Sequence, residues 1–433
     1  MTPQIKIWQS WNGRITHPYD QLCQPHNESE LANFIQNTNS VRVIGTGRSS
    51  ADICAGTGNL IDLSQMEGGI SINEAALTVS APAGIQLVQL LQTLQARGYA
   101  IAALPDIDSI SLGGAIATGT HGTGRVAQSL SDYLCACRLV GADGRVLDLD
   151  EQSGELPFDA LRLSLGLLGV ISQLSLRIVP LRQIAVREAP CRDTEWLERW
   201  PELLASYDFV RLLWLPHTGW GTLILGDYFD DQAPFSAKPA PAGYANRRAV
   251  SSRFYKICSR FPGLTPLANR ILKARFFSAE VRKIGSLYDA TVTKSRGSTL
   301  ELAEWTIPLT SFRPCFEDLR RQMGRQGCYG HIPMDIRFIK SSSAWLANSF
   351  GADCVTLGCV SRTPEAADRH KIFKVIEEIF LQHGGRPHWA KRFAAGADQL
   401  AELYPRLGEF RELRRQWDPR GKFLNPWLAE RFS

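Results

Sequence analysis

The alternation of apolar and polar positions gives the chain two textures. Through residue 181, short apolar runs are separated by glycine-rich turns, and residues 41–44, 60–63, 69–72 and 77–80 read as strands. Residues 28–39 read as a helix capped near Asn27 or Ser29. Residues 86–98 read as an amphipathic helix with Leu87, Leu90, Leu91 and Leu94 on one stripe. "CACRLVGADGRVLDL" (135–149) predicts two strands around the turn Asp143-Gly144, and "LSLGLLGVISQLSLRIVPL" (163–181) a short helix, a glycine turn and a strand. Beyond Pro180 the strand-like runs are 208–215, 221–226, 298–308, 333–340 and 353–360. A Pro/Ala/Gly-rich loop (230–245) and a basic helical insert interrupt them, and helices at 363–382 and 396–416 close the chain. Short strands mixed with helices, without an internal repeat, predict an α+β fold.

Composition narrows the function classes. The 433 residues suffice for two or three domains, and 44% hydrophobic with 21% charged residues is ordinary for a soluble protein. A net charge of +5 is too weak to imply a nucleic-acid partner. Of ten cysteines only Cys135 and Cys137 lie close together, and no Cys/His spacing fits a metal, so no metal site is expected. Free cysteines as small apolar core residues point to a reducing, cytoplasmic setting. The N-terminus is too polar for a signal peptide, and no run approaches ~18 apolar residues. One segment is unbalanced: 247–283 carries ten Lys/Arg and one acid, Glu280, with Phe254, Tyr255, Phe261, Phe276 and Phe277 interleaved. It reads either as a solvated helical face or as a patch that meets an anionic membrane or substrate, peripheral to the inner membrane face.

The candidate chemistry begins at "VRVIGTGRSSADICAGTGNLIDL" (41–63), where an apolar strand runs into Gly45-Thr46-Gly47. A Rossmann fingerprint fails because position 50 is Ser and no helix opens, and a P-loop fails for want of Gly-Lys-Ser/Thr. A second glycine cluster, "GGAIATGTHGTG" (113–124), supplies another group of backbone N–H donors; two such loops facing each other can clasp a diphosphate.

These two loops, with "ELAEWTIP" (301–308), "GGRPHWAK" (384–391) and "DPRGKFLN" (418–425), resemble the aldonolactone oxidase and alditol oxidase group of the vanillyl-alcohol-oxidase superfamily. The resemblance implies a two-domain PCMH-type FAD-binding fold: an FAD domain over 1–181, a central cap (substrate) domain over 182–390 with the basic insert, and a segment over 391–433 that returns to the FAD domain. It implies FAD held by Gly45, Thr46, Gly47, Arg48 and Ser49 at the pyrophosphate. Ser109, Gly114, Thr118, His121, Gly122, Gly124, Gly166, Gly169, Ile171 and Lys391 are expected along the cofactor. His121 also reads as a plain core histidine. The implied reaction oxidises an alcohol carbon of an aldonolactone or polyol by hydride transfer to flavin N5, with oxygen or a quinone or cytochrome as electron acceptor.

Matched residue by residue, Asp335 and Arg337 fill the substrate-positioning pair and Lys391 the cation beside flavin and substrate, with Glu304 and His388 in neighbouring motifs. Strand alternation places 335 and 337 on one face. The pair also reads as an edge-strand surface ion pair. Four departures stand out. Arg48 occupies the place of the histidine that attaches FAD covalently in many relatives, so the flavin is expected to be non-covalent. "LPDIDSI" (104–110) puts Asp108, beside Ser109, at the apparent oxygen gate, with a further acid/base role open to it. Asp335 is one carbon shorter than the usual Glu. Gly358 and Val360 stand where polyol-binding relatives carry polar side chains. The last point leaves two alternatives: a tailoring or lipid-linked sugar alcohol oxidase with a less polar substrate, or a flavin-binding partner protein without turnover.

Overall fold

The structure is a computed structural model that describes residues 5–54, 56–240, 246–292, 301–331, 333–361 and 371–433. A four-stranded sheet runs in the order Lys6–Gln9, Thr16–Cys23, Gly58–Asp62, Arg42–Ile44, the last three strands parallel. A five-stranded antiparallel sheet follows in the order Ser71–Asn73, Thr78–Pro82, Val170–Arg177, Leu134–Val140, Val146–Asp150. The largest sheet has eight antiparallel strands. Its order is Val281–Ser286, Gln183–Arg192, Trp220–Phe229, Phe209–Leu215, Met334–Ile339, Cys354–Ser361, Glu301–Pro308 and Arg386–Pro387.

Alternation gives this large sheet one apolar and one polar face. Leu212 and Trp214 pair with Ile336 and Met334 and turn, with Phe338, toward the helices Asp193–Ser206 and Phe312–Gln322. Trp196 and Trp214 lie 4.6 and 5.0 Å from Phe316, and Phe312 lies 5.9 Å from Phe338. Such ring pairs add to the burial that fixes the sheet against its helices. Asp335 and Arg337 alternate to the other face. There the register sets Glu304 opposite Gly358, Gly358 opposite Asp335, and Arg337 opposite Arg211.

The C-terminal segment is sewn back to the start of the chain. The Val41 N–H donates to the Lys422 carbonyl at 2.8 Å, and the Asn425 side chain donates to the Asp52 carbonyl at 3.0 Å. The buried Lys422 ammonium donates to the Ile35 carbonyl, the last turn of the helix Glu28–Asn37. Asp418 organises this return by accepting the Lys422 and Phe423 backbone N–H groups, each at 2.8 Å.

Several expected elements shift. The helix read at 163–181 lies earlier, at Phe158–Arg162, and Leu163–Gly169 is a turn in which Leu165 and two glycines take positive φ. The basic insert is helical only over Arg247–Arg260 and Thr265–Phe276; its end becomes the edge strand Val281–Ser286. The closing helix splits into Ala397–Leu403 and Leu407–Trp417, since Pro405 lacks an N–H and forces the preceding Tyr404 out of helical geometry. Of the helix expected at 363–382, the part before 371 lies outside the described residues, as do 298–300 of the strand and 241–245 of the loop. All ten cysteines are free and seven are buried, as small core residues would be.

Candidate active site

A cavity of about 780 Å³ opens between the glycine loops and the polar face of the large sheet. On the loop side, the strand Arg42–Ile44 delivers Gly45–Ser49 to its wall. A Cβ on Gly45 would fall 2.0 Å from the Ser111 Oγ and 2.9 Å from its Cβ, so this loop touches the start of the helix Leu112–Ala117. Only glycine allows that approach. Gly47 has φ +64° and Gly169 φ +148°, backbone shapes that a side chain disfavours.

Arg42 braces these loops from below. Its buried guanidinium donates to the carbonyls of Phe423 (2.8 Å), Ile53 (2.9 Å) and Leu165 (2.9 Å), tying the first loop, the Leu163–Gly169 turn and the C-terminal segment together. Burial lowers its pKa to about 10, and three carbonyl partners keep the charge hydrogen-bonded. Arg48 donates to the Ser109 Oγ at 3.0 Å and to its carbonyl at 3.3 Å, and its guanidinium lies 4.9 Å from the Trp11 ring centre.

On the sheet side, four charged groups form a closed cluster. Arg211 donates to both Asp335 oxygens at 2.8 and 2.6 Å, and Arg337 to Asp335 Oδ2 at 3.0 and 2.5 Å. Asp106 takes a second contact from each arginine, 3.2 Å from Arg211 and 3.1 Å from Arg337. Burial alone would raise the Asp335 carboxyl, but Arg211 and then Arg337 hold it well below the usual carboxylate range.

Beside the cluster, His121 Nδ1 lies 2.9 Å from the Gly122 carbonyl and Nε2 2.5 Å from Glu304 Oε1. A carbonyl only accepts, so Nδ1 carries a proton, and the short bond to Glu304 holds one more. The His121 and His388 rings lie 5.8 Å apart. Burial lowers the His388 pKa to about 3, so that ring is neutral at ordinary pH. Its Nδ1 accepts the Ala390 N–H at 3.1 Å, which places its proton on Nε2. Burial works against ionised Glu304, yet the contact with His121, with Lys391 adding to it, holds its carboxyl well below the ordinary value. His121, Glu304 and His388 are grouped closely enough for a metal ion, with ligand atoms within 4.8 Å.

The structure brings most expected residues to this cavity. Gly45, Thr46, Gly47, Arg48, Ser49, Gly114, Thr118, His121, Gly166, Gly169 and Ile171 line it with Glu304, Asp335, Arg337, Gly358, Val360, His388 and Lys391. Four do not. Gly122 and Gly124 are spacers: a Cβ would meet the Leu104 backbone at 2.9 Å or the Asp208 carbonyl at 2.4 Å. Ser109 sits behind the wall as the partner of Arg48. Asp108, expected at the oxygen gate, is off the wall as well. It is buried and accepts the Tyr288 hydroxyl at 2.8 Å. The carboxylate that this motif presents to the cavity is Asp106, two residues earlier. Arg42, Asp106 and Arg211 were not singled out from sequence. An arginine inside the apolar run at 41–44 and another inside 208–215 were the available signals.

Glycine loops on one wall and a buried ionic cluster on the other, framed by mixed and antiparallel sheets, are the arrangement of a flavoprotein oxidoreductase of the PCMH-type FAD-binding fold. Comparison with known proteins agrees. Residues 174–431 match the family model for D-arabinono-1,4-lactone oxidase, and residues 19–150 match a FAD binding domain. The chain belongs to the D-arabinono-1,4-lactone oxidase family and is an FAD-linked oxidoreductase. It is 30% identical to the L-gulono-1,4-lactone dehydrogenase of Mycobacterium tuberculosis, over 97% of this chain and 98% of that one. Identity to the L-gulonolactone oxidase of Scyliorhinus torazame is 27%, over 93% and 91%. The solved cholesterol oxidase of B. sterolicum shares the fold, with a TM-score of 0.80 at 16% identity over 99% and 97% of the chains. As an oxidoreductase of this family the chain takes a small-molecule substrate and an electron acceptor. Among the described residues no helix is long and apolar enough to cross a membrane.

Proposed function

We propose that the protein oxidises a hydroxyl-bearing carbon of an aldonolactone, with FAD held non-covalently. The observation that carries this reading is the row Glu304–Gly358–Asp335 across three strands, facing the glycine loops over one cavity. The loops fit FAD on their own geometry: Gly45 and Ser111 meet with no room for a Cβ, which leaves backbone rather than side chain toward the cavity. Thr46, Gly47, Ser49 and Gly114 are the residues placed to hold the diphosphate, and Gly166, Gly169 and Ile171 continue the wall. FAD held there supplies a two-electron acceptor for a hydride leaving the alcohol carbon.

The chain's own residues do the positioning. Arg211 and Arg337 keep Asp335 ionised, and among the described residues its Oδ1 accepts only the Arg211 Nε–H, so a lone pair is left for a substrate hydroxyl. Gly358 leaves open the space between Asp335 and Glu304, where an added Cβ would sit 3.6 Å from the Asp335 Cβ. His388 offers its Nε2–H as a neutral donor, and Lys391 adds positive charge to the same wall. The sheet division supports an FAD domain (1–181), a cap (182–390) and a returning segment (391–433). Arg48, committed to Ser109 and Trp11 in place of a linking histidine, supports non-covalent attachment.

Two acceptor classes suit the reading, oxygen and a quinone or cytochrome; reoxidation of photoreduced protein by each in stopped flow separates them. A cytoplasmic protein peripheral to the inner membrane face is the setting we propose, with contact through 247–283. The substrate assignment is tested by anaerobic mixing with L-gulono-1,4-lactone, D-arabinono-1,4-lactone, polyols and an apolar sterol alcohol. Flavin bleaching by a lactone supports it. Bleaching by the sterol alone overturns it.

A further inference from the structure

The helical hairpin over 247–276 is a part of the molecule that neither the flavin site nor the core explains. Its helices, Arg247–Arg260 and Thr265–Phe276, meet at the short turn Pro262–Leu264. The inner side is packed: Cys258, Thr265, Ala268, Leu272 and Phe276 are buried. The Asn269 amide anchors it by donating to the Pro216 and Gly330 carbonyls, both at 2.9 Å. The outer side is apolar where water should be. Ile257 on the first helix, Phe261 and Leu264 at the turn, and Leu267 and Ile271, four apart on the second helix, are 45–57% exposed and give this segment an apolar stripe. Among the described residues twelve large apolar side chains are exposed, and these five fall within one short segment.

The charged residues of the same segment are all basic. Arg253, Lys256, Arg260, Arg270 and Arg275 are exposed, and 247–279 holds eight Lys/Arg with no Asp or Glu. The net charge of the whole chain is only +5, so this segment exceeds it. A solvated face would not carry the apolar stripe. A second copy would set this cationic face against its like, which costs association. An apolar stripe with cations and no acids is complementary to an anionic lipid surface, where apolar groups enter the headgroup boundary and Lys/Arg meet the headgroups. Both roots of the hairpin, Arg247 and Phe277, line the cavity.

We propose that the hairpin Arg247–Phe276 is a monotopic docking element that seats on an anionic bilayer and holds this wall of the cavity against it. This deepens the peripheral contact proposed above and does not depend on the substrate. The test uses the full chain with its flavin and sucrose-loaded vesicles of phosphatidylcholine, with or without phosphatidylglycerol, at low and high salt. Wild type is expected to pellet with the anionic vesicles, ~10-fold or more better than with neutral ones, and to be released by salt. The variant Arg253→Gln/Lys256→Gln/Arg260→Gln is expected to lose ~10²-fold, at about fivefold per cation. Leu264→Asp/Leu267→Asp is expected to bind neither vesicle. All these side chains are exposed, so flavin content and near-UV circular dichroism should match wild type and show that the variants fold. Absence of pelleting, equal pelleting on neutral vesicles, or wild-type pelleting by either variant overturns the proposal. So does a dimer in size exclusion that Leu264→Asp/Leu267→Asp dissolves, since a second copy would then be the occupant. Loss of turnover with vesicle binding intact would instead count against the substrate reading alone.

Discussion

Replacing Arg211 with Met tests whether Asp335 owes its charge to a second arginine. Arg211 gives Asp335 two bonds, at 2.8 and 2.6 Å, and Asp106 one contact at 3.2 Å. The side chains of Asp335 and Asp106 are only 18% and 9% exposed, so the cluster is largely shielded from solvent screening. Removing Arg211 leaves two buried carboxylates and one guanidinium. A charged hydrogen bond contributes about 1.5–3 kcal/mol, and breaking a buried pair costs about 3–5 kcal/mol. Arg337 still contacts both carboxylates, which puts the loss at about 3 kcal/mol at neutral pH. The pH dependence has a defined sign. Asp335 is held low in the folded state, so its contribution is present above the unfolded carboxyl value of about 4 and is lost as pH falls through the folded value. In the variant burial dominates, the carboxyl rises, and protonation relieves the unpaired charge at a higher pH. The stability gap should therefore shrink as pH falls toward about 4. Urea denaturation at several pH values measures the gap, and the acid limb of lactone oxidation should move upward with it. Arg211→Lys, which keeps the charge without the fork, should fall between the two. A gap under about 0.5 kcal/mol that is flat with pH would mean that Arg337 alone holds Asp335.

Further outcomes follow from the same geometry. Gly45→Ala should weaken FAD binding ~10-fold or more, since overpacking of this kind costs about 1–3 kcal/mol, and Ser111→Gly should restore it; flavin retention on gel filtration measures both. Acid precipitation should release all the yellow colour, and flavin left on the denatured chain would exclude a non-covalent link. His388, with its pKa lowered to about 3, stays neutral when folded but takes up a proton when unfolded below about 6.5. Its contribution to stability should fall by about 2 kcal/mol from pH 6.5 to 5, a slope that His388→Gln removes and that urea titrations will show. Asp108→Asn should leave reoxidation by oxygen unchanged in stopped flow, because Asp108 faces Tyr288 and not the cavity; faster reoxidation would return it to the gate.

The chemistry was legible where it depends on backbone and on ordered motifs. Gly45-Thr46-Gly47 after an apolar strand, and "GGAIATGTHGTG", announce close backbone approach because only glycine permits it; both loops reach the cavity wall. The strand period of two was enough to put Asp335 and Arg337 on one face. Other elements left weak signals. The strand Thr16–Cys23 is exposed or half-exposed along its whole length, so no apolar alternation marked it. Which glycines reach the cavity wall was not written in the motif either: Gly122 and Gly124 fill the narrow gap against Leu104 and Asp208, contacts that only the folded chain makes.

What the sequence determined by itself is the class: glycine turns mark the two loops, strand alternation puts the polar pair on one face, and the ordered motifs, through their resemblance to a known family, imply the flavin fold. What only the tertiary structure decided is the electrostatic partnership. Arg211 and Asp335 stand 124 positions apart, and His121 and Glu304 stand 183 apart. Their charges act through a few ångströms of low-dielectric space that exists only after the sheets close. The direction in which Asp106 and Asp108 point depends likewise on what packs behind each, Arg211 and Arg337 for one and Tyr288 for the other. Pattern along the chain carries period and turn; it does not carry which distant side chain will meet a buried charge.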